Sequence, residues 1–403
     1  MRVDQSARVW VVRGAVAVLL GAVGTFSVVA TLAQTLASKN VELAHSLLPS
    51  DGRIAGRYAV SLVDPKAPAS NLPKVEALAR KALLRDGTSV SAASLLGLSA
   101  ELHGDAVAAR RAFSYAEKLS RRDLQTQLWA IESAVQRGDI PNALYQYDIA
   151  LRTSPNVSTV LFPILLAASG TDDAIRSALV RTLAMRPSWS EGFANFAGTK
   201  SANPRSTMRL FVDLQRARIK VPDNAQAGLI GLLIAAGATD EAWEYYASVR
   251  GGVNRLQSRD PQFAATGTPS VLDWVPVNEG SIVTDLQPLG ATGKFNFFVP
   301  AGAGGTLLQQ LQLLSPGSYR FTGKGTLPHL QRSSQPYWVL KCQNGTELGR
   351  AEFSEKAISA GSFAGVFKVP ANCPIQILML TARLSDEASD ISGQIIEARL
   401  VPQ

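Results

Sequence analysis

Three hydrophobic patterns follow one another along the chain. Gly14 to Ala33 is 20 residues without a charge, enough at about 1.5 Å per helical residue to cross the ~30 Å apolar core of a bilayer. From about Arg53 to Arg250, apolar residues recur at spacings of three and four, broken by Gly, Pro and Gly-Asp pairs. That is the period of amphipathic helices. Beyond residue 270 the period falls to two, the signature of half-buried strands. The pattern predicts a multidomain chain: one N-terminal transmembrane helix, an all-α helical-repeat superhelix, then an all-β sandwich.

The helical stretch carries an internal period. Gly104-Asp105 recurs as Gly138-Asp139, 34 positions on, and Ala109, Phe113 and Ala116 recur as Ala143, Tyr147 and Ala150. Each Gly-Asp pair suits a turn between helices: Gly takes the left-handed conformation at one helix end, and Asp starts the next. Small residues at Gly97, Ala109 and Ala116 allow paired helices to approach closely, Phe113 and Tyr147 fill space between pairs, and Pro155 stops a helix. The clearest units run from Val90 to Asp123 and from Leu124 to Pro155. Degenerate units follow over Asn156 to Pro187, with a turn at Ser169-Gly170, then Glu191 to Pro222, and Asp223 to Gly251. Val75, Ala79 and Ala82 mark an earlier second helix.

These residues resemble the tetratricopeptide repeat, which has Leu-Gly in its first helix (here Leu96-Gly97), Ala and an aromatic in its second, and a closing Pro. Ala93 and Ala100 stand where the family places an aromatic pair. The resemblance implies a superhelix whose concave face, lined by first helices, binds protein partners. On that face the residues are Ser94, Leu98, Glu101, Gln125, Leu128 and Glu132. This mixture of apolar and acidic groups suits a helix or extended segment with apolar and basic groups.

The alternating region yields ten short strand candidates, among them Lys294–Val299, Gly317–Lys324, Tyr337–Gln343, Glu347–Phe353, Ser362–Val369, Ile375–Leu384 and Ser392–Leu400. Asn344-Gly345 between two of them is a hairpin signal. With its Trp338 strand and final Ile391–Leu400 strand, the layout resembles jelly-roll domains that include many carbohydrate-binding modules. Such modules stack aromatic faces on sugar rings, which makes Trp274, Tyr337 and Trp338 the possible sugar-binding residues. Tyr337 and Trp338 are adjacent in a strand and point to opposite faces, so at least one belongs to the core.

Arg2, Arg8 and Arg13, opposed only by Asp4, precede the apolar run, and positive flanks stay in the cytoplasm. The bulk of the chain is then expected in the periplasm of a bacterium, anchored in the inner membrane. The run exceeds a usual signal-peptide core, which favours an uncleaved anchor, with cleavage after Thr31-Leu32-Ala33 as the alternative. The only cysteines, Cys342 and Cys373, lack metal or redox spacing. In an oxidising compartment they are expected to pair, a bond contributing roughly 3 kcal/mol.

The net charge of +8 is spread as single Lys and Arg among acids, with no basic block, so nucleic acid is not an expected partner. The three histidines, His45, His103 and His329, stand apart from other ligands. Gly302-Ala303-Gly304-Gly305 lacks the Lys and helix of a phosphate loop. Neither Gly280-Ser281 nor Gly361-Ser362 has the flanks of a nucleophile elbow. No cofactor, metal or enzymatic activity is expected. The expected domains are a cytoplasmic tail (1–13), a membrane helix (14–33), a juxtamembrane helix (34–55), helical repeats (56–250), a linker (251–269) and a β-sandwich (270–403). The function they imply is an exported, anchored scaffold for envelope proteins. The alternative is an accessory protein that binds polysaccharide in a cell-surface glycan assembly or export system.

Overall fold

The structure is a computed structural model of the chain, describing residues 3–64, 67, 70–327, 334–353, 361–384 and 390–403, with side chains from residue 9 onward. Among these residues, fourteen α-helices precede ten strands, so the chain is all-α and then all-β. It divides into two compact units, Met1–Leu161 and Phe162–Gln403.

The first unit starts with α1 (Val3–Leu36). Its Val9–Leu36 stretch is long and apolar enough to cross a membrane, and its most apolar window is left uncovered by the described residues. Thr25 and Thr31 turn their hydroxyls onto the carbonyls of Gly21 and Ser27 at 2.9 and 2.8 Å, so both hydroxyls are satisfied within the helix, as a membrane-spanning helix would require. The juxtamembrane helix expected over 34–55 is instead the end of α1, then α2 (Val41–Leu47) and the start of α3 (Gly52–Ser61). The breaks come from strong caps: Asn40 accepts from the Leu43 amide, and Asp51 from those of Arg53 and Ile54. Ala33, Ala37, Ala44 and Ile54 form a small core that joins α1 to α3 without a flexible tether.

Helices α4 (Leu72–Arg85), α5 (Val90–Leu102), α6 (Ala106–Leu119), α7 (Leu124–Gln136) and α8 (Ile140–Thr153) follow. Pairs α3/α4, α5/α6 and α7/α8 pack as hairpins. Gly104 and Gly138 take φ of +76° and +69°, and Asp105 and Asp139 cap the helices that follow. A Cβ on Gly97 would run into the Phe113 ring. That ring is buried and stacks on Trp129 of the next pair at 4.7 Å. The periodic residues therefore do the packing work that their spacing suggests, within and between hairpins.

Helix α9 (Ser158–Thr171) leads to α10 (Asp173–Ala184), α11 (Ser190–Lys200), α12 (Pro204–Arg216), α13 (Asp223–Ala235) and α14 (Thr239–Arg250). The turn expected at Ser169-Gly170 falls at Asp172, whose carboxylate caps α10. Helices α11 and α13 touch through Gly198 and Gly228, where a Cβ would strike backbone of the facing helix.

The strands are β1 (Val275–Pro276), β2 (Val283–Leu289), β3 (Thr292–Val299), β4 (Gly305–Gln312), β5 (Gly317–Thr326), β6 (Tyr337–Cys342), β7 (Glu347–Phe353), β8 (Gly361–Val369), β9 (Gln376–Ala382) and β10 (Ile391–Pro402). They pair antiparallel in the order β1-β4-β9-β6-β7-β8-β5-β10-β3-β2. Among the described residues, two residue pairs link β7 to β8, where the two halves of the sandwich join. Trp338 of β6 meets Phe321 of β5 ring to ring at 5.1 Å, although these strands are not neighbours in the order. The result is a sandwich of two five-stranded halves around one apolar core. Asn344-Gly345 forms the β6/β7 hairpin, with Gly345 at φ +90°. Cys342 and Cys373 are disulfide-bonded, with Cα atoms 5.7 Å apart.

The stretch expected as a linker, 251–269, is not one. Phe263 is part of the sandwich core, and Ser258 and Arg259 are buried. The Arg259 guanidinium donates to the Leu272 and Leu311 carbonyls and to Gln312 Oε1. Burial pushes its pKa down to about 10. Beside it, Asp273 accepts from Tyr246 at 2.8 Å, from Arg250 at 3.0 Å and from Ser270 at 2.8 Å. Burial also drives the Tyr246 hydroxyl pKa upward. This buried polar cluster fastens α14 to the start of the sandwich. Each member is costly to leave unpaired, so the group holds together as a unit.

Candidate functional site

On α7, Gln125, Leu128, Glu132 and Val135 fall at helical spacing on one face. Leu128, Glu132 and Val135 are exposed and Gln125 is half-buried. The end of α5 adds exposed Glu101 and Leu102, with Leu98 half-buried. The two helices are tied by the Trp129 indole, which donates to Glu101 at 3.1 Å. Neither helix carries a Lys or Arg. Ser94, assigned to this surface from the sequence, is fully buried, on a helix against which α3 and α4 both pack. The face is therefore shorter than expected, running from Leu98 to Leu102 on α5 and along α7.

Helices α4 and α6 carry Lys74, Arg80, Lys81 and Arg85, and Arg110, Arg111 and Lys118, and the first helix α3 carries Arg53 and Arg57. A cavity of about 740 Å³ lies between α4, α5 and α6, lined by Glu76, Arg80, His103, Arg111 and Tyr115 among others. Glu76 accepts from Arg80 at 2.6 Å and from Ser99 at 2.8 Å. These bonds hold its pKa below the ordinary glutamate value. The sequence carries no signal for this cavity, because it depends on how α4 packs against α5 and α6.

The sugar candidates do not form a platform. Trp274 and Trp338 are 3% and 0% exposed and meet edge to face at 5.8 Å inside the sandwich. Tyr337 is half-buried, with the guanidinium groups of Arg350 and Arg383 over its ring at 4.6 and 4.4 Å. Its face is occupied by cation–π partners. The outward side of β2-β3-β10-β5-β8 is open instead. There a groove of about 550 Å³ is lined by Asn296, Thr326, Ser392, Gly393 and Gln394, with Phe297 and Leu327 beneath.

Among the described residues, no three His, Cys, Asp or Glu side chains converge as a metal site. His45 stacks on Tyr58 at 4.6 Å. Burial, then the nearby Arg85 charge, hold its pKa below the usual histidine value. His103 lies with Nδ1 2.8 Å from the Ser99 carbonyl. His329 lies outside the described residues.

No family model matches the chain, and no curated protein matches it. Among solved structures, the chain is similar to the enzymatically active domain of bacteriophage CBA120 tailspike protein 4, at 12% identity and a TM-score of 0.26, over 38% of this chain and 22% of that one. It is similar to the CBM22-1 xylan-binding domain of Paenibacillus barcinonensis Xyn10C, at 11% identity and a TM-score of 0.24, over 36% of this chain and 92% of that one. A third likeness, at 13% identity and a TM-score of 0.23, is to TmCBM61 in complex with β-1,4-galactotriose, over 38% of this chain and 99% of that one. At these scores the assignment of a sandwich rests on the strand order and the shared core described above.

Proposed function

We propose that this protein is a membrane-anchored scaffold of the bacterial envelope, holding a protein partner on the first-helix face of α5 and α7. The observation that carries the reading is the exposed row of Leu102, Leu128 and Val135 beside Glu101 and Glu132, on helices without a cation. A tetratricopeptide-type groove would seat an amphipathic helix with apolar and basic side chains there. The uncovered apolar length of α1 supports an anchor in the inner membrane. Ala33, the position where a leader would be cut, is buried in the α1–α3 joint, which supports retention of the helix. The flanking arginines favour a cytoplasmic N-terminus and a periplasmic bulk. The role is one of binding, with no catalytic step.

The test is crosslinking in intact membranes with the wild-type chain and the Glu101→Arg/Glu132→Arg variant. A discrete protein adduct that disappears in the variant supports the reading. An adduct of equal yield in both removes this face from the interaction.

A second reading is favoured by the open groove around Gly393 on the sandwich: the domain binds polysaccharide on its outward sheet. Neutral amide and hydroxyl groups at its rim (Asn296, Gln394, Thr326 and Ser392) are the donors and acceptors that sugar hydroxyls need.

A further inference from the structure

We propose that the outward face of β2-β3-β10-β5-β8 binds an acidic polysaccharide, a sugar chain bearing carboxylates. The inference rests on the polysaccharide reading and names the ligand class and the residues.

Strand register builds the site. Asp285, Asn296, Gln394 and Thr326 are successive partners across β2, β3, β10 and β5. At ~4.8 Å between strands this polar row runs about 14 Å across the sheet. Gln394 donates to the Asn296 oxygen at 2.9 Å, which leaves the Asn296 NH2 and the Gln394 carbonyl without another partner among the described residues. One donor and one acceptor side by side match a pair of neighbouring hydroxyls. The next outward row is Val283, Phe298 and Ser392, with Val283 60% and Phe298 40% exposed. It offers an apolar edge to the C–H face of a sugar ring.

Charge decides the class of glycan. Arg320 and Lys324 of β5, Lys368 of β8 and Arg399 of β10 all point outward, since Phe321, Phe367, Ala398 and Leu400 beside them are buried. The acids on this face are Asp285 and Glu397. Glu397 is already engaged by Lys324 at 3.9 Å and Arg399 at 3.4 Å. Arg320 and Lys368 have no acidic partner among the described residues. A neutral glycan would leave these cations unused, whereas a carboxylate-bearing chain running along β5 from Thr326 toward Arg320, about 20 Å, meets hydroxyl partners at one end and cations at the other. Single-stranded nucleic acid would need several stacking rings, and among the described residues this face has only Phe298.

The test is affinity electrophoresis of the detergent-solubilised full-length chain in gels containing polygalacturonate, galactan or DNA. Polygalacturonate should retard the protein, and galactan should do so far less. The Arg320→Ala/Lys368→Ala variant should weaken the effect about tenfold and keep the wild-type melting temperature, because both side chains are exposed, and Asn296→Ala should weaken it a few-fold. Equal retardation by galactan, unchanged in the double variant, would overturn the acidic class and leave the polysaccharide reading standing. Retardation by neither glycan removes both. Retardation by DNA as strong as by polygalacturonate would reduce the face to general cation attraction and overturn the proposal.

Discussion

The α5–α7 face and the outward face of β2-β3-β10-β5-β8 have opposite chemistry. The first is apolar and acidic, with no cation on either helix. The second is a polar row next to Arg320, Lys324, Lys368 and Arg399. Each fold sorts its residues in its own way. In the hairpins, α5 and α7 carry Glu101 and Glu132 without a cation, whereas α3, α4 and α6 carry Lys and Arg. In the sandwich, strand alternation sends every large ring of β5 and β8 inward and leaves charge and hydroxyls outside. Two surfaces so different suit the two classes of partner proposed above.

The strongest way to break this comparison is through the aromatics. If Trp338 is core and not a sugar platform, Trp338→Ala should cost about 4 kcal/mol of stability, by the cavity it leaves. Thermal unfolding would show it, while Tyr337→Ala should move the midpoint far less. A Trp338→Ala protein of wild-type stability with lost glycan binding would return the site to that residue.

The next effect concerns the joint between α14 and the sandwich. Asp273→Ala leaves Arg250, Tyr246 and Ser270 facing an empty acceptor, and should cost about 3 kcal/mol. A destabilisation below ~0.5 kcal/mol in chemical denaturation would mean that the stretch behaves as a linker after all.

Binding variants come lower. Leu128→Asp on the α7 face should weaken a protein partner about tenfold, or ~1.4 kcal/mol, leaving glycan binding intact, and Arg320→Ala should do the reverse. Co-isolation from membranes and gel retardation read the two arms. One variant abolishing both would merge the surfaces into one.

The smallest effect is on pH. The folded His45 pKa lies below the ordinary value, so the unfolded chain takes up the proton more readily. Stability from this group is full above about 6.5, the ordinary value, and is lost as pH falls toward the folded value. Protection factors across α2 and α3, taken relative to the intrinsic exchange rate at each pH, should fall slightly between pH 7 and 5, and His45→Asn should remove that dependence. A joint that instead tightens in acid would contradict the assignment.

Much of this was legible in the sequence where one residue type has one physical use. Gly97 against Phe113, the Gly-Asp turns, Asn344-Gly345 and the Cys342–Cys373 pair all follow from local rules, and the ten strands follow from alternation. What stayed hidden depends on distant partners. Arg259 reads as a solvent-exposed linker charge until the Leu272 and Leu311 carbonyls close around it. Ser94 reads as surface until α3 and α4 pack against its helix. The outward sheet row, Asp285 to Thr326, spans more than a hundred positions of chain and exists only through register. The aromatic residues legible as sugar partners lie away from the proposed sheet site, because Trp274 and Trp338 are buried in the sandwich core.

The central claim, that the α5–α7 face holds a protein partner, is tested most directly by a photo-crosslinking residue placed in living cells at Leu128, at Val135 and, as a control, at Leu84. Leu84 lies on α4 and is 89% exposed, but it lies off the proposed face. Discrete protein adducts at Leu128 and Val135 and none at Leu84 are the predicted result. Adducts of the same pattern at all three positions, or at Leu84 alone, would contradict it.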